Sequence, residues 1–147
     1  MSTEKLVKEL NQLLSDFHIY YQNTRGFHWN IKGHKFFELH VKFEELYTES
    51  LTNIDEIAER ILTIGGQPLH TFEDYQNTSK LKVHKNVSQD SECVEAIYAQ
   101  LGQLVEQENV VKELAVEAGD NETEDMMIGL ANGQQKTMWM FRSWLGK

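Results

Sequence analysis

The chain has 147 residues, with 14 Lys plus Arg set against 23 Asp plus Glu, a formal charge of −9 at neutral pH. That length suits a single domain spanning 1–147, and 40% hydrophobic with 25% charged residues is a globular rather than a disordered composition. The acidic balance argues against a general nucleic-acid binder, which needs surplus Lys and Arg to neutralise phosphates, and favours cationic partners. The lone Cys93 permits no disulfide within the chain. No apolar run approaches the roughly 20 residues that span a bilayer, and Met1-Ser2-Thr3-Glu4-Lys5-Leu6 has neither the basic start nor the apolar stretch of a signal peptide. The expectation is a soluble, cytoplasmic protein.

Apolar residues recur at three- and four-residue steps almost throughout, with no sustained alternation of period two. Leu6, Leu10, Leu13, Phe17 and Phe27 form one stripe that ends at Gly33, and Phe36, Phe43, Tyr47, Ile54 and Ile61 form a second that stops at Gly65-Gly66-Gln67-Pro68. A third runs through Val94, Ile97, Leu101, Leu104, Val111 and Ala115 to Gly119, and a fourth through Met127, Leu130, Gln134, Met138, Phe141 and Leu145. Ser2, Ser88 and Asn121 read as N-caps, Asn121 with Glu124 as a capping box. These signals predict four helices, near 3–32, 35–64, 89–118 and 122–145. The short turns at Gly33 and at 119–121 make two antiparallel hairpins, and the stretch 65–87 must carry the chain between them, with a short helix at 71–75. An all-α fold of this kind, four helices with one long crossover between the second and third, is a ferritin-like bundle.

Candidate chemistry concentrates in the first hairpin, at His28, His40, Glu44, Asp55 and Glu59. At about 100° per residue, positions 40, 44, 55 and 59 fall within roughly a quarter of the second helix's circumference. Imidazole with carboxylate is a ligand set suited to iron or zinc. From His40 to Asp55, however, is about 22 Å along a helix at 1.5 Å per residue. The histidine pair and the Asp55/Glu59 pair therefore cannot hold one ion within one chain. Either the pairs are unrelated, or two chains meet about a two-fold axis near Glu49 and Ser50, which would build two such sites at once. The intra-bundle alternative, built on Glu-x-x-His motifs, finds no support: Ser15, Arg25, Ile31, Phe37, Gln67 and Leu81 stand three residues before the histidines, and none is Glu.

The stretch His28-Trp29-Asn30-Ile31-Lys32-Gly33, followed by Leu39-His40 and Glu44, resembles the first signature of the Dps proteins, the mini-ferritins. Ile54-Asp55-Glu56-Ile57-Ala58-Glu59-Arg60, with Ile64-Gly65 and Pro68 after it, resembles the second. The resemblance extends over the whole helix plan. It implies a hollow shell of twelve subunits, a homo-dodecamer, with iron as the metal and ferroxidase sites at its two-fold interfaces. Asp55 and Glu59 would come from one subunit, His28 and His40 from the other, and Glu44, where many relatives have Asp, would complete a second iron position. Trp29 resembles a tryptophan kept beside that site, a candidate radical trap, with core packing the ordinary alternative for an indole. Arg60 is expected to pair with a carboxylate. The implied reaction is oxidation of Fe(II), preferably by hydrogen peroxide, followed by storage of ferric mineral, a protection against oxidative damage.

Residues outside this set have plainer readings. An i, i+4 carboxylate pair by itself is an ordinary solvated helix face, and it is the joint spacing of five residues that favours metal. His18, His34, His70 and His84 read as surface or packing residues, Cys93 as a small buried hydrophobe, and Met126, Met127, Met138 and Met140 as core and interface filler. Glu108 lies on the apolar stripe of the third helix without a sequence-level reason. The negative charge is localised: residues 89–125 hold eleven acids and one base. In chains resembling this one an acidic turn before the last helix lines a three-fold pore, which makes Asp120 and Asp125, with Glu122 and Glu124 behind them, candidates for a route that draws Fe(II) inward.

Two further functional readings remain. One is a nucleoid-associated protein that binds and compacts DNA with little ferroxidase role. The first ten residues hold only Lys5 and Lys8, and the last four are Trp144-Leu145-Gly146-Lys147, so weak or no direct DNA binding is expected at neutral pH. The other is a metal-free shell kept for structure.

Overall fold

A computed structural model describes residues 2–147, the side chain of Ser2 excepted. Among the described residues five helices follow one another: α1 (Ser2–Asn30), α2 (Phe36–Thr63), α3 (Phe72–Thr78), α4 (Asp90–Ala118) and α5 (Asn121–Trp144). The four long ones form an all-α bundle in which α1 packs on α2 and α4, and α4 packs on α5, while α3 lies on α1. The apolar stripes meet in one core that includes Leu10, Leu13, Phe17, Phe43, Ile57, Ile61, Ile97, Leu104, Val111 and Met127, each at most 1% exposed. Gln134, placed on the fourth stripe, is buried there as a polar residue.

The helix ends explain the hairpins. Gly33 (φ 115°) turns the chain between α1 and α2, and Gly119 (φ 69°) closes α4 in the left-handed conformation that a residue without Cβ adopts at no steric cost. The Asp120 N–H then donates back to the Ala115 carbonyl at 2.8 Å. Two caps differ from the sequence reading. The cap of α4 is Gln89, one residue beyond Ser88, and its Oε1 accepts the Glu92 N–H. The cap of α5 is Asp120 rather than Asn121: its carboxylate accepts from the Thr123 N–H, while Asn121 already lies inside the helix. Both shifts move the cap to the neighbour whose side-chain oxygen reaches a free N–H. The cap expected at Ser2 rests on a side chain outside the described residues.

A row of polar residues on α1 fastens the crossover. Asn11 donates to the Gln67 carbonyl and accepts from the Leu69 N–H. Asp16 accepts from the Ser79 hydroxyl (2.7 Å), the Lys80 N–H (2.8 Å) and Gln12 (3.1 Å). Asn23 donates to the Lys82 carbonyl and to Gln100, and accepts from the His84 N–H. These bonds satisfy backbone groups of a segment that has almost no ladder of its own. Burial nevertheless holds the Asp16 carboxyl above its ordinary value, the hydrogen bonds from Ser79, Lys80 and Gln12 opposing it. Among the described residues no helix is long and apolar enough to cross a membrane.

Candidate metal centre

The α1–α2 hairpin brings His28 and His40 face to face. Their rings stack with centroids 3.8 Å apart and an interplanar angle of 12°. His28 Nδ1 lies 2.6 Å from the His40 carbonyl oxygen, and His40 Nδ1 lies 2.7 Å from the His28 carbonyl oxygen. A carbonyl oxygen only accepts, so each Nδ1 carries the hydrogen and each Nε2 of a neutral ring keeps its lone pair. Backbone carbonyls thus supply the orienting contact that metal-binding histidines ordinarily require. His28 Nε2 stands 3.8 Å from Glu44 Oε1. Phe36 stacks on the other face of His40 at 4.8 Å, and Tyr47 meets His28 edge-on at 5.3 Å. Phe36 and Tyr47 occur in the sequence as apolar stripe residues; their spacing from His40, four and seven residues, is the signal that they share its face.

Asp55 and Glu59 are exposed on α2, away from this cluster along the helix. Among the described residues no group of three or more His, Cys, Asp or Glu side chains is arranged to hold a metal within one chain. Exposed apolar side chains lie on the same helix, at Phe37, Val41, Leu51 and Leu62, 54–82% exposed. With Glu44, Thr48, Asp55 and Glu59 they follow the three- and four-residue spacing of one face. At the height of the expected axis Ser50 turns inward (2% exposed), and Leu51 presents itself to the outside.

The remaining expected residues fall as follows. Trp29 is 58% exposed, so it does not serve as core, and the Arg25 guanidinium sits 5.0 Å from its ring centroid. Arg60 pairs with Asp120, Nη2 to Oδ1 at 2.9 Å, while its Nε donates to Thr123 Oγ1 at 2.8 Å. Burial alone would raise the Asp120 carboxyl, but bonds from Thr123 and the Arg60 charge outweigh it and hold the group below its ordinary value. Asp120 is therefore committed within its own chain, whereas Asp125 and Glu122 are exposed. Of the histidines given plainer readings, His18 stacks on Tyr75 at 3.7 Å, and burial pushes it down to about 4; His34 and His70 are exposed; His84 meets Phe27 edge-on. Cys93 is buried, and burial, with Glu92 and Asp90 nearby, pushes its thiol up to about 12, so it is an inert packing residue.

A long-helix bundle with one crossover, carrying histidines and carboxylates on its first hairpin, defines a ferritin-like protein, and the ferritin-like domain family matches residues 7–147. The DNA protection during starvation protein of Porphyromonas gingivalis is 39% identical over 97% of this chain and 89% of its own length. The corresponding protein 2 of Bacillus anthracis is 37% identical over 98% of this chain and 99% of its own. The crystal structure of the Vibrio cholerae Dps protein, described as a member of a superfamily of ferritin-like diiron-carboxylate proteins, superposes with a TM-score of 0.96 at 40% identity, covering 98% of this chain and 91% of that one. The chain belongs to the Dps family.

Proposed function

We propose that the chain is an iron-sequestering mini-ferritin that oxidises Fe(II) with hydrogen peroxide and stores the ferric product inside a shell of twelve copies. Each oxidation site joins His28, His40 and Glu44 of one copy to Asp55 and Glu59 of a two-fold-related copy. The observation that carries this is the reciprocal His28–His40 arrangement, which leaves two Nε2 lone pairs, that of His28 3.8 Å from Glu44 Oε1. Three donors leave a metal incompletely ligated, and two carboxylates stand on the same helix about 22 Å away, where only a second copy running antiparallel delivers them. Two Fe(II) ions held together supply the two electrons that reduce one peroxide to water without releasing hydroxyl radical. The side chains contribute placement and charge rather than proton transfer. Trp29, exposed and next to His28 in sequence, would yield an electron to a stray oxidant. Asp125 and Glu122 are the carboxylates free to line an inlet, since Asp120 is already paired. The shell would work in the cytoplasm.

The test mixes the assembled protein with Fe(II) anaerobically, adds peroxide and follows ferric absorbance, beside a double variant, Asp55→Ala with Glu59→Ala. A rate lost in the variant supports the reading; equal rates overturn it. The native mass should be about 205 kDa for twelve chains of 17.1 kDa.

A further inference from the structure

The core of the bundle contains a polar group that the oxidation site does not use. Glu108, on α4, is 0% exposed, and neither of its carboxylate oxygens has a hydrogen-bond partner. Gln134, facing it from α5, is 6% exposed, and its Oε1 is likewise buried without a partner. The Gln134 amide is the one donor that acts on the acid, too few for three buried acceptor oxygens, and an ionised carboxylate makes that arrangement costly, since each buried unmade bond forfeits the group's hydration. One proton resolves it, because a carboxylic acid donates where a carboxylate only accepts.

We propose that Glu108 remains a neutral carboxylic acid in the folded chain and donates its proton to Gln134 Oε1, an acid–amide link that ties α4 to α5 and is released when the acid ionises. The surroundings contain no charge that would hold an ionised Glu108. On α5 its neighbour is the uncharged Gln134. On α1, the charged groups at this height are Glu9, which accepts from Gln107, Asp16, which is taken up by Gln12, Ser79 and Lys80, and Lys5 and Lys8, which are exposed on the groove outside Gln107 and Val110 and exert no charge effect on the buried acid. Lys112, one turn along α4, forms no ion pair with it among the described residues, and its two carboxylate oxygens are unpartnered. Burial accordingly pushes the Glu108 carboxyl up to about 8, with Gln134 the only opposing influence.

Gln134 is also the layer between this acid and solvent. It lines an open groove of about 420 Å³ between α2 and α5, together with Glu49, Asn53, Glu56, Asp125 and Gly133. Water reaches an ionised Glu108 by displacing the Gln134 side chain toward that groove, whose carboxylates offer no compensating positive charge. The link is thus a proton-operated catch on the α4–α5 hairpin.

The folded chain holds this proton where the unfolded chain has lost it, so folding weakens as pH rises between the ordinary Glu value of 4.5 and about 8, and is level above. Glu108→Gln keeps the shape and an amide donor without the titration. The folded-to-unfolded ratio of Glu108→Gln relative to the wild type should rise about tenfold per pH unit across that window. Parallel pH profiles for the two proteins would overturn the proposal. A second measurement uses the wild-type assembly alone: with ¹³C-labelled glutamate, one side-chain carboxyl should titrate near pH 8, and its absence would overturn the assignment whatever the variant does. A third outcome also overturns it. Uptake of Mn(II) at neutral pH with release of one proton per chain, lost in Glu108→Gln, would give the three oxygens to a cation instead.

Discussion

His28 and His40 hold each other by the main chain: each ring's Nδ1 bonds the carbonyl oxygen of the other residue, at 2.6 and 2.7 Å, while the rings lie stacked. The orienting bond of either ring therefore survives loss of the other side chain. His40→Ala should leave the His28 ring in place and remove only the second Nε2 donor and the stack. Peroxide-driven Fe(II) oxidation should fall at least about tenfold, with unfolding free energy changed by about 1 kcal/mol or less because His40 is only partly buried. Stopped-flow absorbance and denaturant unfolding check the two halves; a large loss of stability with oxidation intact would contradict them.

Asp120, the cap of α5, and Asp125, within its second turn, belong to one acidic stretch but should behave differently. Asp120 caps α5 and pairs with Arg60, its side chain only 13% exposed, so Asp120→Ala removes a cap and leaves a half-buried guanidinium unpaired, at a cost of about 2 kcal/mol. Its carboxyl is held below the ordinary 3.8, so its contribution is complete above that value and is lost as pH falls through the lowered one. The stability difference between wild type and Asp120→Ala should therefore shrink below about pH 4. Asp125→Asn should unfold like the wild type and slow iron uptake at low ionic strength. Equal thermal stability of the two variants would refute the distinction.

The Gly66 position tests packing beneath the crossover. A Cβ there would stand 2.6 and 2.7 Å from the two Val7 methyls and 3.1 Å from Ile61 Cγ2. Both neighbours are branched side chains on helices and cannot swing aside, so Gly66→Ala should destabilise by about 1–3 kcal/mol. Denaturant unfolding measures it, and pairing with Val7→Ala should recover part of the loss.

Much of the fold, and the meeting of His28 with His40 beside Glu44, is legible in the sequence because it is local. The stripes of α4, from Val94 to Ala115, are periodic and sealed, and every residue named on them is buried. The family signatures likewise lie within continuous segments. What the sequence hides is non-local. Asp16 and Asn23 carry no sequence signal of their role, because their partners on the crossover and α4 lie 59–77 residues away, at Ser79, Lys80, Lys82, His84 and Gln100. The α5 cap differs by one residue from the sequence reading because Asp120, Asn121 and Thr123 all carry capping side chains, and the choice between them falls to Arg60, 60 residues away. The histidine spacing indicates proximity across the turn but not the exchanged carbonyl bonds, which depend on the register of two packed helices.

The proposed sharing of each oxidation site between two copies makes the most demanding prediction. Histidine-deficient chains (His28→Ala with His40→Ala) and carboxylate-deficient chains (Asp55→Ala with Glu59→Ala) should each assemble and each be inactive. In a mixed two-fold pair of the proposed kind, the intact histidines of one chain would face the intact carboxylates of the other, so one of the two sites would be whole and the other empty. Dissociating and reassembling the two variants in equal amounts makes half of the pairs mixed, and about a quarter of wild-type activity should return. Sites contained within one chain would recover nothing on mixing, and unrelated residue pairs would show no complementation at any ratio. The assay needs only ferric absorbance before and after reassembly, with native mass confirming that the shells have re-formed.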